Sequence, residues 1–132
     1  MSDEIRKLKH LGENEPIASF LNMKLLELSA GYAKVSMKMR PEYMNFNGFI
    51  FGGIISAVAD QAFAFATNSA ITPNVACQFN IHFLSAVSDR DELFAECRVL
   101  KKGRRICISE IKVTNQDDKL VAMATGTTIP LK

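Results

Sequence analysis

The chain has 132 residues, of which 48% are hydrophobic and 23% are charged. A chain of this size can fill one hydrophobic core, so residues 1–132 are predicted to form a single domain. The net charge of +2 is ordinary for a globular protein and gives no reason to expect nucleic acid or a membrane as a partner.

The first ten residues mix charged and apolar side chains and contain no continuous apolar segment. A secretory signal requires an apolar segment of about 7–15 residues. We therefore expect a cytoplasmic protein, and we interpret His10 as part of a frayed terminus.

The three cysteines, Cys77, Cys97 and Cys107, each lie in an apolar, strand-like segment. They are odd in number and show no Cys-x-x-Cys spacing. We interpret them as reduced core residues, with a zinc or redox role as the less favoured alternative.

The segment 17–40 contains the first predicted elements. Residues 17–28 follow Pro16 and are moderately apolar, which suits a short helix that leads into a first strand. From Ala33 to Arg40, apolar and polar side chains alternate strictly. This period of two predicts a strand with one face toward water.

A structured loop and a buried helix are predicted next. Residues 41–53 contain three glycines, one proline and two asparagines, a composition typical of a loop. Residues 54–66 are polar only at Ser56, Asp60 and Gln61, which predicts a helix that is apolar nearly all round. Crossing a bilayer takes about 20 apolar residues, so we expect this helix to be buried in protein.

The rest of the chain is predicted to be strands. The candidate strands are residues 75–84, 92–101, 104–114 and 120–129. Polar breaks between them favour short antiparallel connections, at residues 88–91, 102–103 and 116–118. One helix among strands is covered on most of its surface only if a curved sheet wraps it and a second copy closes the open side. We therefore expect an α+β fold and a homo-oligomer.

Asp60 is the first candidate for chemistry, because a carboxylate is costly among the apolar residues of this helix. The alternative is an aspartate that faces solvent or accepts a hydrogen bond from a backbone amide, and helix context alone favours neither. Gly52 and Gly53 precede the helix, where free backbone amides are positioned to stabilise an oxyanion. Taken alone, a glycine pair is more often a tight turn.

The segment from Asn45 to Asp60, NFNGFIFGGIISAVAD, resembles the helix-start motif of hot-dog thioesterases in the phenylacetyl-CoA thioesterase (PaaI-like) group. In that group Asn, His-Gly-Gly and Asp recur at this spacing. Weaker similarity extends the resemblance to about residues 20–130. It implies a hot-dog fold, in which a curved antiparallel sheet wraps one long central helix. It also implies hydrolysis of an acyl-CoA thioester with no metal and no redox cofactor.

The resemblance also implies roles for individual residues. Asp60 would be the general base or the nucleophile, and the Gly53 amide would polarise the thioester carbonyl. Asn45 would place the water or the departing thiolate, with Asn47 as a nearby alternative. The family histidine falls on Phe51, whose phenyl ring neither donates a hydrogen bond nor exchanges a proton.

One further departure from the family pattern and the expected substrate contacts complete the predicted site. The serine or threonine that often assists from the next strand falls near Ala76. Phe51 and Gly52 would line the substrate site. Lys102 and Arg104 flank a predicted turn that is either an ordinary solvated turn or a contact for the phosphates of CoA.

Helix geometry adds a constraint on Gly53 and Asp60. These residues are seven positions apart, which is about 10 Å along an α-helix. Both therefore cannot easily contact one carbonyl group within hydrogen-bond reach. We expect the two residues of one site to come from different subunits of a homodimer or a homotetramer.

Three functions are compared. An acyl-CoA thioesterase is favoured by Asp60 together with the glycine pair. A non-catalytic protein that binds or senses acyl-CoA is the alternative, and Phe51 favours it. A hot-dog hydratase is disfavoured because neither His10 nor His82 lies at the motif position, and His82 is expected to be packed or hydrogen-bonded.

Overall fold

The computed structural model describes residues 2–131. The helices are α1 (Asp3–Glu13), α2 (Pro16–Leu21) and α3 (Gly52–Ala70). The strands are β1 (Met23–Ser29), β2 (Tyr32–Lys38), β3 (Asn74–Phe83), β4 (Glu92–Lys102), β5 (Cys107–Thr114) and β6 (Leu120–Pro130). All pairings are antiparallel and form one six-stranded sheet in the order β1-β2-β4-β5-β6-β3. Helix α3 packs against every strand of this sheet, which confirms the predicted α+β architecture with one central helix.

Helix α3 is longer than its predicted range of 54–66. The prediction excluded two glycines at its start and several polar residues at its end, since such residues disfavour a helix. Gly52 and Gly53 already have helical backbone at its start. In the last turns, Thr67 Oγ1 donates to the Phe63 carbonyl (2.8 Å) and Asn68 Nδ2 donates to the Ala64 carbonyl (2.9 Å). These local bonds satisfy polar side chains inside the helix.

Helix α1 corrects the prediction of a frayed terminus around His10. Ser2 caps this helix, since its Oγ accepts a hydrogen bond from the Ile5 amide (3.2 Å). The helix docks on α3 through Gly12, where an added β-carbon would lie 2.3 Å from a ring carbon of Phe65. The many charged residues obscured α1 in the sequence, although Ile5, Leu8 and Leu11 stand three positions apart and Leu8 packs against the core.

The connections between strands follow the prediction in two of three places. Hairpins join β4 to β5 and β5 to β6, near residues 102–103 and 116–118. The break at 88–91 does not join neighbouring strands, since β3 pairs only with β6 and β4 pairs with β2 and β5. Strand β5 begins at Cys107 and not at 104, because the Gly103 amide donates to the Ile106 carbonyl (2.8 Å) and closes a turn.

The core lies between α3 and the inner face of the sheet. The alternation predicted for β2 places Ala33, Val35 and Met37 in the core, where they are fully buried, but Ser36, predicted to face water, is buried as well. Cys97 and Cys107 are also buried, and burial raises the pKa of the Cys97 thiol to about 12, so it stays protonated. No helix within residues 2–131 is long and apolar enough to cross a membrane.

Strand β3 is an edge strand, and its position overturns two predictions. Cys77 and His82 lie on it, and both are exposed instead of packed in the core. Cys77 also falls at an irregularity in the β3–β6 register, between Ala76 and Gln78. An apolar sequence pattern cannot distinguish a buried strand from an edge strand that a single chain leaves uncovered.

Candidate active site

An open groove lies between α3 and β3, which run in opposite directions. At one end the Phe83 ring lies beside Gly52, where an added β-carbon would be 3.2 Å from the ring. At the other end the Asn74 amide donates to Asn68 Oδ1 (2.9 Å). The groove has a volume of about 410 Å³. It is lined by Gly53, Ser56, Ala57, Asp60, Ala76 and Phe79. We call it the Asp60 groove.

The helical residues of the Asp60 groove share one face of α3. Gly53, Ser56, Ala57 and Asp60 stand at positions i, i+3, i+4 and i+7, which fall on the same side of an α-helix. The groove therefore brings the two main sequence-predicted site residues together. They remain about two turns apart along the helix, about 10 Å.

Asp60 is a free carboxylate at the wall of the groove. Its side chain reaches solvent, and among residues 2–131 it has neither an ion pair nor a hydrogen-bond partner. Partial burial among apolar neighbours raises the pKa of Asp60 above its ordinary value. A carboxylate with a raised pKa and no competing partner is suited to accept a proton from water.

The start of α3 supplies two backbone donors. The Phe51 amide donates to the Tyr43 carbonyl (2.8 Å), and the Ile54 amide donates to the Phe51 carbonyl (2.9 Å). Between them, the amides of Gly52 and Gly53 have no acceptor in the part of the chain that the structure describes, and no side chain caps the helix. Free amides at a helix N-terminus are suited to hold a negatively charged oxygen.

Phe51 lies directly against this helix start. A β-carbon at Gly53 would lie 2.5 Å from a ring carbon of Phe51, so the ring packs on the bare α-carbon of this glycine. The Phe51 side chain is nevertheless 58% exposed. A glycine is required here for contact with the ring, and the ring brings an apolar surface to the position where the resemblance implies a histidine.

A second groove of about 380 Å³ lies on the other side of the helix start. Gly52 lines this groove and Gly53 lines the Asp60 groove, so the two glycines border different spaces. The second groove is lined mainly by apolar residues, namely Phe49, Ile50, Gly52, Ile55, Phe83, Leu84, Ser85, Ala86 and Val87.

Asn45 and Asn47 line neither groove. Asn45 Oδ1 accepts hydrogen bonds from the Asn47 amide (2.9 Å) and the Phe49 amide (3.3 Å), which closes the loop before α3. Gly48 completes this turn with a φ of 81°, a left-handed conformation that favours glycine. In a single chain, the side-chain oxygen of Asn45 therefore already accepts two hydrogen bonds from backbone amides of its own loop. Asn47 is exposed.

The basic turn, residues 101–105, lies at the same end of the sheet as Ala76. Lys102 is opposite Cys107, Cys107 is opposite Thr128, and Thr128 is opposite Ala76. Three strand spacings separate Lys102 from Ala76, which is about 14 Å. Lys102 and Arg104 are exposed and lie outside the groove itself, at a distance that an elongated ligand would bridge.

Sequence reasoning did not assign Ser56, Ala57 and Phe79 to the groove. The spacing of Ser56 and Ala57 from Asp60 was a usable signal, since it places them on the same helical face. Nothing in the order of residues pointed to Phe79, because its place depends on the pairing of β3. Among residues 2–131, no group of three or more His, Cys, Asp or Glu side chains is arranged to hold a metal ion.

Comparison with known proteins identifies relatives of the whole chain. The sequence profile of the thioesterase superfamily matches residues 47–122, a range that includes both glycines and Asp60. The acyl-coenzyme A thioesterase PaaI of Escherichia coli is 32% identical over 86% of this chain and 81% of that protein.

Solved structures give the same result for the fold. The structure of E. coli PaaI superposes with a TM-score of 0.94 at 29% identity, covering 99% of this chain and 96% of that chain. A Streptococcus mutans protein solved with bound acetyl-CoA superposes with a TM-score of 0.80 at 28% identity, covering 83% and 89% of the two chains.

Proposed function

Because the chain belongs to the thioesterase superfamily and is a hot-dog thioester hydrolase of the PaaI-like type, we propose that Asp60 carries the chemistry of an acyl-CoA thioesterase. The observation that carries the proposal is the Asp60 groove. It combines an unpaired carboxylate with a free amide at the start of the same helix. They are the two kinds of group that acyl transfer requires, a base or nucleophile and an oxyanion donor. Because about 10 Å separates them within one chain, we pair Asp60 with the helix start of a second copy.

Hydrolysis would proceed by attack on the thioester carbonyl carbon. In the general-base form, Asp60 accepts a proton from water while the water oxygen bonds to that carbon. The carbon–sulfur bond then breaks and the proton passes to the CoA thiolate, which leaves a free acid and CoA. In the nucleophilic form, an Asp60 oxygen bonds to the carbon, the carbon–sulfur bond breaks and CoA leaves as the thiolate. Water then cleaves the resulting mixed anhydride, which releases the free acid, restores the Asp60 carboxylate and supplies the proton that the thiolate takes up. The raised pKa of Asp60 strengthens its carboxylate both as a base and as a nucleophile.

The oxyanion donor is assigned to the Gly53 amide. Its N–H has no internal acceptor, and it begins a helix of 19 residues whose N-terminus favours negative charge. Asn45 would place water or the departing thiolate, with Asn47 as an alternative. Because loop bonds occupy Asn45 Oδ1, that role would fall to its Nδ2 group.

The active unit is proposed to be a homodimer, or a tetramer built from dimers. Edge strand β3 and the groove face of α3 are both uncovered in one chain. Exposed aromatic side chains surround the start of α3, at Phe46, Phe49, Phe51 and Phe83. A second copy would cover these surfaces and would bring its own helix start to Asp60, which resolves the separation of about 10 Å within one chain.

The CoA portion of the substrate is proposed to reach the basic turn. Lys102 lies about 14 Å across the sheet from Ala76 at the rim of the groove, and Arg104 follows it in the basic turn. Their positive charges are suited to the phosphates of CoA, and an exposed contact of this kind would depend on salt. The proposed unit is one domain, residues 1–132.

A non-catalytic acyl-CoA binding protein is the second candidate, and Phe51 is the observation that favours it. A phenyl ring at the histidine position removes one hydrogen-bond donor from the site. In that case acyl-CoA thioethers would bind, and no thioester of a broad acyl-CoA panel would be hydrolysed.

Subunit mixing tests the proposed site. One inactive variant carries Asp60→Asn, and the other carries Gly53→Ala with Asn45→Ala. After subunit exchange, a mixed dimer would contain one site with both lesions and one site with neither, so activity should reappear. Absence of recovery, despite heterodimers shown by native mass spectrometry, would contradict a site shared between subunits.

A further inference from the structure

The Asp60 groove has one large apolar side chain in its lining. Gly53, Ala57 and Ala76 present little surface, and Ser56 is small and polar. Phe79 is the exception, and its half-buried ring faces this space from β3. The room available beside Asp60 therefore depends mainly on where the ring of Phe79 lies.

The ring of Phe79 is supported from behind by Phe63. The two ring centroids are 5.7 Å apart with an interplanar angle of 41°, an ordinary aromatic pair. Phe63 is only 1% exposed, so it is enclosed by the core on its other sides. If the ring of Phe63 were displaced, it would push the ring of Phe79 into the groove, because the groove is the open space beside this pair.

Phe63 is in turn seated on Gly126. This glycine is the partner of Phe79 in the β3–β6 pairing, so Phe79, Gly126 and Phe63 meet at one place. A β-carbon at Gly126 would lie 2.4, 2.8 and 2.9 Å from three ring carbons of Phe63. Carbon atoms in favourable contact are about 3.5–4.0 Å apart, so any side chain at 126 would push the ring away.

We propose that Phe79 is a specificity-determining residue that contacts the acyl group, and that Gly126 is a positioning residue that acts on it through Phe63. Because Gly126 has no side chain, the ring of Phe63 packs directly on β6. The ring of Phe79 can then lie farther from Asp60, and the groove is wider. This inference rests on the proposed function, since it takes the acyl group to occupy the Asp60 groove.

The test uses two substitutions with opposite expected effects. Phe79→Ala should enlarge the groove and shift the preference in kcat/KM toward longer acyl-CoA esters by about tenfold or more. Gly126→Ala should narrow the groove and shift the preference toward acetyl-CoA by a similar factor.

Two matched variants control for loss of packing. Gly12→Ala also places a β-carbon against a phenyl ring of α3, that of Phe65, which lies outside the groove. Phe94→Ala removes a phenyl ring from the outer face of β4, where it contacts Lys34. Both controls should lower the melting temperature and leave the acyl preference as in the wild type.

The experiment measures turnover of straight-chain esters from acetyl-CoA to lauroyl-CoA, and binding of the matching S-alkyl-CoA thioethers by calorimetry. An unchanged chain-length preference in Phe79→Ala, in both readouts, overturns the inference even if the wild type is active. Shifted thioether binding without turnover in any variant would support the inference and contradict the proposed catalysis. If Gly126→Ala does not fold, Phe79→Ala still decides the role of Phe79. Phe63→Leu then tests positioning through Phe63, since removing the ring behind Phe79 should widen the groove and shift the preference toward longer acyl-CoA esters.

Discussion

The substitution Gly53→Ala separates the backbone amide at the helix start from the phenyl ring that packs on it. The new β-carbon would lie 2.5 and 2.9 Å from two ring carbons of Phe51, about 1 Å short of ordinary contact. Phe51 is 58% exposed, so its ring can rotate into solvent without disturbing the core. Alanine keeps the backbone N–H, and we expect its methyl group to block the approach of the substrate oxygen to that N–H.

The expected effects on stability and on rate differ in size. Replacing glycine by alanine within a helix favours folding by up to about 1 kcal/mol, which offsets the lost contact with an exposed ring. We expect the free energy of unfolding to change by no more than about 1 kcal/mol. Loss of one oxyanion donor costs about 10²- to 10³-fold in rate, or about 2.7–4 kcal/mol of transition-state stabilisation. We expect kcat to fall by an amount in this range.

The assay is release of free CoA thiol, followed together with chemical denaturation of each variant. Phe51→Ala and the double variant Phe51→Ala/Gly53→Ala complete a double-mutant cycle. Phe51→Ala alone should keep most of the activity, because the phenyl ring has no part in proton transfer. Restored activity in the double variant would refute the reasoning, since it would assign the loss to the ring clash and not to the blocked amide.

Burial raises the pKa of Asp60, so the folded state favours the protonated carboxyl. The stability contributed by this group is therefore greatest at low pH. It falls as the pH rises from the ordinary carboxyl pKa through the raised pKa of Asp60, and chemical denaturation of Asp60→Asn at the same pH values should not show this decrease. Replacing Lys102 and Arg104 together by alanine should raise KM for acyl-CoA and weaken its dependence on salt, with kcat nearly unchanged, whereas Lys112→Ala should do neither. Light scattering at micromolar concentration should give the mass of a dimer or a tetramer, and a folded monomer would contradict both the burial argument and the shared site.

The sequence predicted the central helix and the strands because their apolar patterns are strong. The alternation in β2 and the apolar run of α3 each correspond to one regular element with a clear period. Short helices and the position of edge strands were harder to predict from the sequence. Helix α1 buries no residue, and its docking depends on Gly12 meeting Phe65, a contact between positions far apart in the chain.

The candidate site divides in the same way. Gly53 and Asp60 could be predicted as site residues on a common face because they lie on one helix, whose period is known. Phe79 could not be predicted, because its place in the groove follows from the pairing of β3 with β6, which joins Phe79 to a position more than forty residues away. Cys77 and His82 were misplaced for the same reason, since only the strand order reveals that β3 is an edge.

The rate of Asp60→Asn tests the central claim most directly. Asparagine keeps the size and much of the hydrogen-bonding shape of the side chain and removes the anionic oxygen that accepts a proton or attacks the carbonyl. We predict that kcat falls by about 10²- to 10⁴-fold, while S-alkyl-CoA thioethers still bind and the protein still folds. A variant that binds these thioethers and hydrolyses acyl-CoA within a few-fold of the wild-type rate would contradict the assignment of catalysis to Asp60.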